Sequence, residues 1–255
     1  MTDQPKSNPR GRRPKYPPDE VRRRLVDASI DALLTSGVSF GVDAVRIDRI
    51  LVIADVPRGS AYSVFDHPDR TPQENLRHAT VVEILRGATA NSAAPTHDFA
   101  IECIDRLSEE ISSGDIDRKR AARAEVTRQV AAFNHARLNS QMWRLYRALV
   151  TAVTTTAGSD PEIDAALEAG ERRLLDTYVE LLTGFAEMFA MRLKPDRTME
   201  HLVMCVIALN DGLSNHTTDA FGVEAQHVTA QSGEEWSLYA IACEALFDSF
   251  FVMTA

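Results

Sequence analysis

The chain has 255 residues, 44% of them hydrophobic and 25% charged, and a net charge of −9. These are the proportions of a soluble globular protein with enough material for a sizeable buried core. With 12 glycines and few alternating β-branched runs a sheet-rich fold is excluded, and the negative total taken alone argues against a nucleic-acid partner.

The charge is unevenly spread. Residues 1–24 hold eight basic side chains (Lys6, Arg10, Arg12, Arg13, Lys15, Arg22, Arg23, Arg24) against Asp3, Asp19 and Glu20, a balance of +5 that leaves −14 on the rest. An acidic body with a basic end suits a two-part molecule of which one part meets phosphate; a solvated basic tail is the plainer alternative. Cys103, Cys205 and Cys243 are scattered through apolar helical patterns, which is neither a disulfide framework nor a zinc-ligand cluster. No apolar run reaches the roughly 18 residues of a membrane span, and the basic N-terminus leads into prolines and charges instead of a signal-peptide core. A soluble cytoplasmic protein with no membrane partner is expected.

In chain order, residues 1–18 are rich in Pro, Arg and Lys and read as a flexible basic arm. Pro17-Pro18-Asp19 opens a first helix, in which Val21, Leu25, Ala28, Ile30, Ala32 and Leu33 recur at helical spacing until Gly37 closes it. Arg46 to Ile53 predicts a short second helix. A tight turn over Ala54-Asp55-Val56 follows, and Pro57 suits the first position of a third helix. That helix is small and polar on one side (Arg58, Gly59, Ser60, Ser63) and carries Tyr62 and Phe65 on the other. Few bulky side chains point outward, so its face fits a DNA major groove about 12 Å wide. The three helices form a candidate helix-turn-helix.

Asp66 to Pro72 is a loop, because its two prolines forbid a continuous helix. Further helices are predicted near Gln73–Gly87, Asp98–Ile111, Asp117–Phe133, Ser140–Ala157, Pro161–Leu193, Asp196–Leu213 and Glu235–Met253. Gly114, Gly158 to Pro161 and Lys194-Pro195-Asp196 punctuate them. Pro161–Leu193 is long enough to invite a kink at Gly170 or Gly184. Ser214 to Glu234 is polar and reads as a loop. The fold class expected is all-α.

Three N-terminal helices, a helix-turn-helix ending in Tyr-x-x-Phe and an all-helical remainder resemble the tetracycline-repressor (TetR) family of transcriptional regulators. The resemblance runs from Val45-Arg46-Ile47-Asp48-Arg49-Ile50 through Ala54-Asp55-Val56-Pro57-Arg58-Gly59-Ser60-Ala61-Tyr62-Ser63-Val64-Phe65, about a fifth of the chain. Ala208 to Leu213 also looks like the end of the family's penultimate helix. Several positions depart from the family pattern. Asp55 stands where the family tends to have Gly, at a turn residue of positive φ that Asp tolerates. Arg46 replaces a helix-capping Thr and offers a phosphate cation instead. Leu51, Val52 and Ile53 make the second helix more apolar than usual. The lysine that commonly begins the fourth helix has no clear counterpart, with Arg70 a candidate substitute.

The resemblance implies operator DNA as a partner, a homodimer, and a small effector molecule in the helical part. Candidate DNA contacts are Arg46, Arg58, Gly59, Ser60, Tyr62 and Ser63, with Arg10, Arg12 and Arg13 of the arm. Arg58 can bridge guanine O6 and N7, the serine hydroxyls can serve bases or phosphates, and Gly59 lets the backbone approach the duplex. Tyr62 resembles the family's phosphate-contacting tyrosine, although a tyrosine wedged between helices explains it equally. Val56, Ala61 and Phe65 are simply core. The Arg10-Gly11-Arg12-Arg13 run resembles a minor-groove arm, where arginine meets enhanced negative potential.

For the effector, Phe99, Met142, Trp143, Tyr146, Phe185 and Met188 are the candidate pocket residues, large and adaptable side chains of a kind that equally builds core. Leu202, Val203, Val206, Leu209, Leu213, Leu238, Ile241, Ala245, Phe247 and Phe250 are more apolar groups than one monomer face needs. They point to dimerisation through the last two long helices.

No nucleophile elbow, phosphate loop, dinucleotide fingerprint or paired-histidine zinc motif is present, so no catalytic residue, metal or cofactor is implied. The expected organisation is a basic arm over 1–18, a helix-turn-helix domain over 19–72 and a helical effector-binding and dimerisation domain over 73–255. The reading is a ligand-responsive regulator, in the first instance a repressor. An all-helical enzyme or small-molecule carrier with an incidental basic arm is the alternative.

Overall fold

A computed structural model describes residues 15–36, 41–88, 94–155, 160–215, 227–229 and 235–253. The arm residues Arg10, Arg12 and Arg13 lie outside the described residues. Among those described, the chain is all-α, with strands limited to four of three residues each. It divides into two compact units, residues 1–84 and 85–255.

The first unit holds α1 (Pro18–Ser36), a 3-10 turn (Gly41–Ala44), α2 (Ile47–Ile53), α3 (Arg58–Val64) and most of α4 (Pro72–Gly87). The helical spacing of α1 puts Val21, Leu25 and Leu33 on one buried face. Val45, Ile50, Ala61, Phe65 and Leu76 are likewise fully buried. Each large apolar side chain contributes about 1.5–3 kcal/mol by leaving water. Thr71 and Glu74 start α4 with a reciprocal capping box: the Thr71 backbone N–H and hydroxyl both reach the Glu74 carboxylate at 2.8 Å. Pro57 sits one residue earlier than expected. Its ψ of 137° is extended, and its carbonyl accepts from the N–H groups of Ser60 and Ala61, which makes it the cap of α3 and not its first residue.

The second unit holds α5 (Ala94–Arg106), α6 (Ser108–Ile111), α7 (Ile116–Leu138), α8 (Gln141–Thr155), α9 (Pro161–Met188), α10 (Met199–Asn215) and α11 (Leu238–Phe250). Asp115, Asp160 and Ser237 cap α7, α9 and α11 through side-chain oxygens that accept from backbone N–H groups. Helix α9 continues through both Gly170 and Gly184. Its core packs Val126 of α7, Phe185 and Phe189, Leu202 of α10, and Tyr239 and Phe247 of α11.

Two short antiparallel pairs form: β1 (Met191–Leu193) pairs with β4 (Phe251–Met253), and β2 (His227–Thr229) with β3 (Glu235–Ser237). β1, β3 and β4 replace helix that periodicity had extended too far, and β2 lies in the stretch expected to be a loop. Ala190, at φ 49°, ends the α9 segment in the left-handed region, and β1 and β4 then alternate buried and exposed residues. Arg123 of α7, 5% exposed, is held by the Asp248 carboxylate of α11 at 2.6 Å, while Lys194 donates to the Asp248 carbonyl at 2.6 Å.

Candidate nucleic-acid interface

The turn between α2 and α3 closes by a specific backbone pattern. Val56 N–H reaches the Leu51 carbonyl at 3.1 Å and Asp55 N–H the Val52 carbonyl at 3.4 Å. This is a Schellman closure, in which the residue just after the C-cap normally needs glycine. Asp55 fills that place at φ 52°, the conformation its position in the sequence requires. Val56, Ala61 and Phe65 are buried and fix α3 on the unit.

The opposite side of α3 faces solvent. Arg58, Gly59 and Ser63 are exposed, and Ser60 and Tyr62 are half-buried. Arg58 donates from Nη2 to the Tyr62 hydroxyl at 3.0 Å, lies over the Tyr62 ring at 5.0 Å, and approaches Asp48 at 3.6 Å. The guanidinium is thus steered along the helix face by its own neighbours, with the half-buried Tyr62 supplying both a ring and a hydroxyl contact. Nothing lies within 4 Å of a Cβ built on Gly59, so its lack of a side chain answers no packing need inside the chain. Arg46 is exposed at the start of α2 and its side chain caps nothing. Of the apolar excess of α2, Leu51 is buried, while Val52 is 81% and Ile53 54% exposed beside the turn.

The cap that Arg46 lacks comes from α4. Gln73 Oε1 accepts from Ile47 N–H at 2.7 Å, and its Nε2 donates to the Val45 carbonyl at 2.7 Å, which Arg77 also reaches at 3.1 Å. Two residues on, Asn75 donates to the Phe65 carbonyl at 3.1 Å. The first turn of α4 therefore holds the start of α2 and the end of α3 together. Gln73, Asn75 and Arg77 were not among the residues expected at the site; amide side chains in the first turn after the loop were the available signal.

The expected effector residues do not converge. Phe185 lines a small cavity of about 50 Å³ among α5, α7, α9, α10 and α11, near Asn134, Tyr178 and Cys243. Tyr178 donates to Asn134 Oδ1 at 2.7 Å and Thr96 to the same atom at 3.2 Å. Burial pushes both the Tyr178 hydroxyl and the Cys243 thiol up to about 12. Trp143 and Tyr146, 5.0 Å apart, instead line an open groove of about 1090 Å³ between α8, α9 and α10. There Arg147 faces Asp211 at 3.5 Å, and burial raises the Asp211 carboxyl despite that neighbour. Burial, with Glu171 and Asp211 nearby, pushes the Tyr146 hydroxyl up to about 12. Phe99 stacks on Phe133 at 4.4 Å, Met142 is half-buried, and Met188 is 44% exposed.

Of the apolar residues that suggested a dimer, Leu202, Val203, Val206, Phe247 and Phe250 are buried within the chain itself. Leu209, Leu213 and Ile241 are half-buried, and Leu238 and Ala245 are exposed. Met204 of α10 adds an exposed apolar side chain at 58%. No helix among the described residues is long and apolar enough to cross a membrane.

No protein-family model matches the chain, and no curated protein matches it. A crystal structure of a protein from Syntrophomonas wolfei, provisionally assigned to the TetR family of transcriptional regulators, aligns over 91% of this chain and 94% of that one. The identity is 15% and the TM-score 0.39, a likeness too distant to carry an argument about this chain.

Proposed function

We propose that the chain is a DNA-binding transcriptional regulator, a repressor acting as a homodimer in the cytoplasm and answering to a small, largely apolar effector. The observation that carries the reading is α3: a short helix with Arg58, Gly59 and Ser63 outward, fixed from behind by Val56, Ala61 and Phe65, after a turn closed by Asp55. Arg58 is the candidate base reader, Arg46 and Tyr62 candidate phosphate contacts, and Ser60 and Ser63 adaptable donors. A dimer supplies the second recognition helix that a two-half-site operator demands.

The groove beside Trp143 and Tyr146 is the better effector site of the two. Its volume is at the upper end of small-molecule sites, ~300–1,000 Å³. The cavity beside Phe185, about 50 Å³, is smaller than the ~150 Å³ that holds a benzene ring. A ligand lowers DNA affinity only by favouring a DNA-incompetent state, and a coupling of about 1–3 kcal/mol is ordinary.

Selection from a random duplex library tests the reading. A paired site with half-sites about 34–36 Å apart is expected. Arg58→Ala then costs about 1–3 kcal/mol, confined to one base position of each half-site. A library that yields no enriched sequence overturns the proposal, and an unchanged preference in the variant removes Arg58 from the interface. Ligands that quench Trp143 are titrated against the same duplex. If all of them leave its affinity unchanged, the effector part fails.

A further inference from the structure

Residues 16–84 of the N-terminal unit are short of positive charge. Residues 16–84 carry eight arginines against eleven carboxylates, a balance of −3, while residues 1–15 carry five basic groups against Asp3 alone. Phosphate attraction is the sequence-independent core of DNA affinity. A module of this charge must therefore bring its basic arm to the duplex, and the place where the arm joins the fold decides where those charges go.

That place is defined by two contacts. Lys15 forms an ion pair with Asp55, forty residues away on the turn between α2 and α3. Tyr16 lies under the Arg24 guanidinium at 4.1 Å, and Arg24 is itself held by Glu20 at 2.7 Å. Asp55 is 76% exposed and packs against nothing that would require a carboxylate. Its φ of 52° is one that glycine adopts at less cost. The closure of the turn thus does not explain the acid; the lysine does.

We propose that Asp55 is a positioning residue that moors the root of the basic arm, through Lys15, beside the recognition helix, so that Lys6, Arg10, Arg12 and Arg13 enter the DNA from the turn between α2 and α3. This rests on the DNA-binding reading above, and it adds a role for the position that departs most plainly from the family pattern.

Two measurements on the full chain test it, one without DNA. Trypsin cleaves after Lys15 only when that side chain leaves Asp55 for the protease pocket. Asp55→Asn and Asp55→Gly, both compatible with positive φ, should speed that cleavage about two- to fivefold, the range an exposed ion pair commands. The second measurement uses mixed-sequence duplex DNA at about 50–200 mM salt, where the electrostatic contribution needs no operator. Deleting residues 1–14 weakens binding by some factor in the parent chain. In the Asp55→Asn background that factor should shrink two- to fivefold, because an unmoored arm has less left to lose. Taking the ratio cancels the effect of Asp55's own charge. Lys15→Ala should shrink it equally, with no additional loss in the double variant. Unchanged cleavage with an unchanged factor overturns the mooring. A full chain that does not bind DNA even at low salt overturns the proposed function and, with it, the aim of the arm.

Discussion

Gly59 separates two reasons for a bare position on a helix. Its Cβ place is open within the chain, so nothing in the fold forbids a side chain there. Glycine inside a helix is less favourable than alanine by about 0.5–1 kcal/mol, and Gly59→Ala is expected to raise the melting temperature accordingly. If the α3 backbone lies against a duplex, the same methyl group weakens DNA binding, by about tenfold or ~1.4 kcal/mol. Paired thermal melts and DNA titrations read the two effects separately. A variant that is more stable and binds DNA as well as the parent places the close approach elsewhere on the unit.

At the scale of elements, α4 acts as a clamp on the helix-turn-helix. Gln73 accepts from the N–H of Ile47, the first residue of α2, and Asn75 donates to the Phe65 carbonyl at the far end of α3. Gln73→Ala leaves Ile47 N–H part-buried without its acceptor, an omission that costs about 1–3 kcal/mol. Val45 retains Arg77, so the loss falls mainly on the start of α2. Denaturant melts should therefore show destabilisation in that range. Gln73→Glu, which keeps the acceptor but not the amide donor, should recover part of it. Equal stability of the alanine variant and the parent would mean that water caps α2 as well as Gln73 does.

Across the whole molecule, stability should depend on pH through His135. This residue of α7 meets Asn210 of α10 at 3.1 Å, Asn139 at 3.1 Å, and stacks on Tyr239 of α11 at 4.8 Å. Asn210 presents its carbonyl oxygen, so Nδ1 carries the proton and Nε2 accepts from Asn139, which fits the neutral ring. Burial holds the ring's pKa below its ordinary 6.5; the Asn210 bond opposes the shift, and Arg147 adds to it. The unfolded chain then binds more protons than the folded one in the window just below pH 6.5. The associated stability is present above that value and is lost as pH falls through the window. Asp211, whose carboxyl is raised by burial, acts in the opposite sense closer to the carboxylate range. Melting temperatures between about pH 8 and pH 5.5 should fall more for the parent than for His135→Gln, whose side chain does not titrate. Parallel curves would exclude His135 as the source.

The single helix expected over Asp98–Ile111 is two, α5 and α6, parted at Leu107. Otherwise the sequence by itself determined the all-α class, the course of the helices in both units, and the strained turn at Asp55. It did so because those features are local. Helix hydrogen bonds run between residues four apart, apolar spacing shows which face is buried, and a left-handed turn position admits few residue types. That is why the inward side of α3 at Val56, Ala61 and Phe65, and the outward side at Arg58, Gly59 and Ser63, were both legible. Tertiary structure alone decided the rest. Gln73 caps α2 across 26 positions, Lys15 meets Asp55 across 40, and Arg123 meets Asp248 across 125. The same packing sent Phe185 to a small cavity and Trp143 to a wide groove, although both read as apolar helix face. It also folded much of the apolar surface of α10 and α11 into the chain's own core. Periodicity says that a face is buried; which neighbour buries it depends on how the helices cross, and that geometry is carried by no single segment.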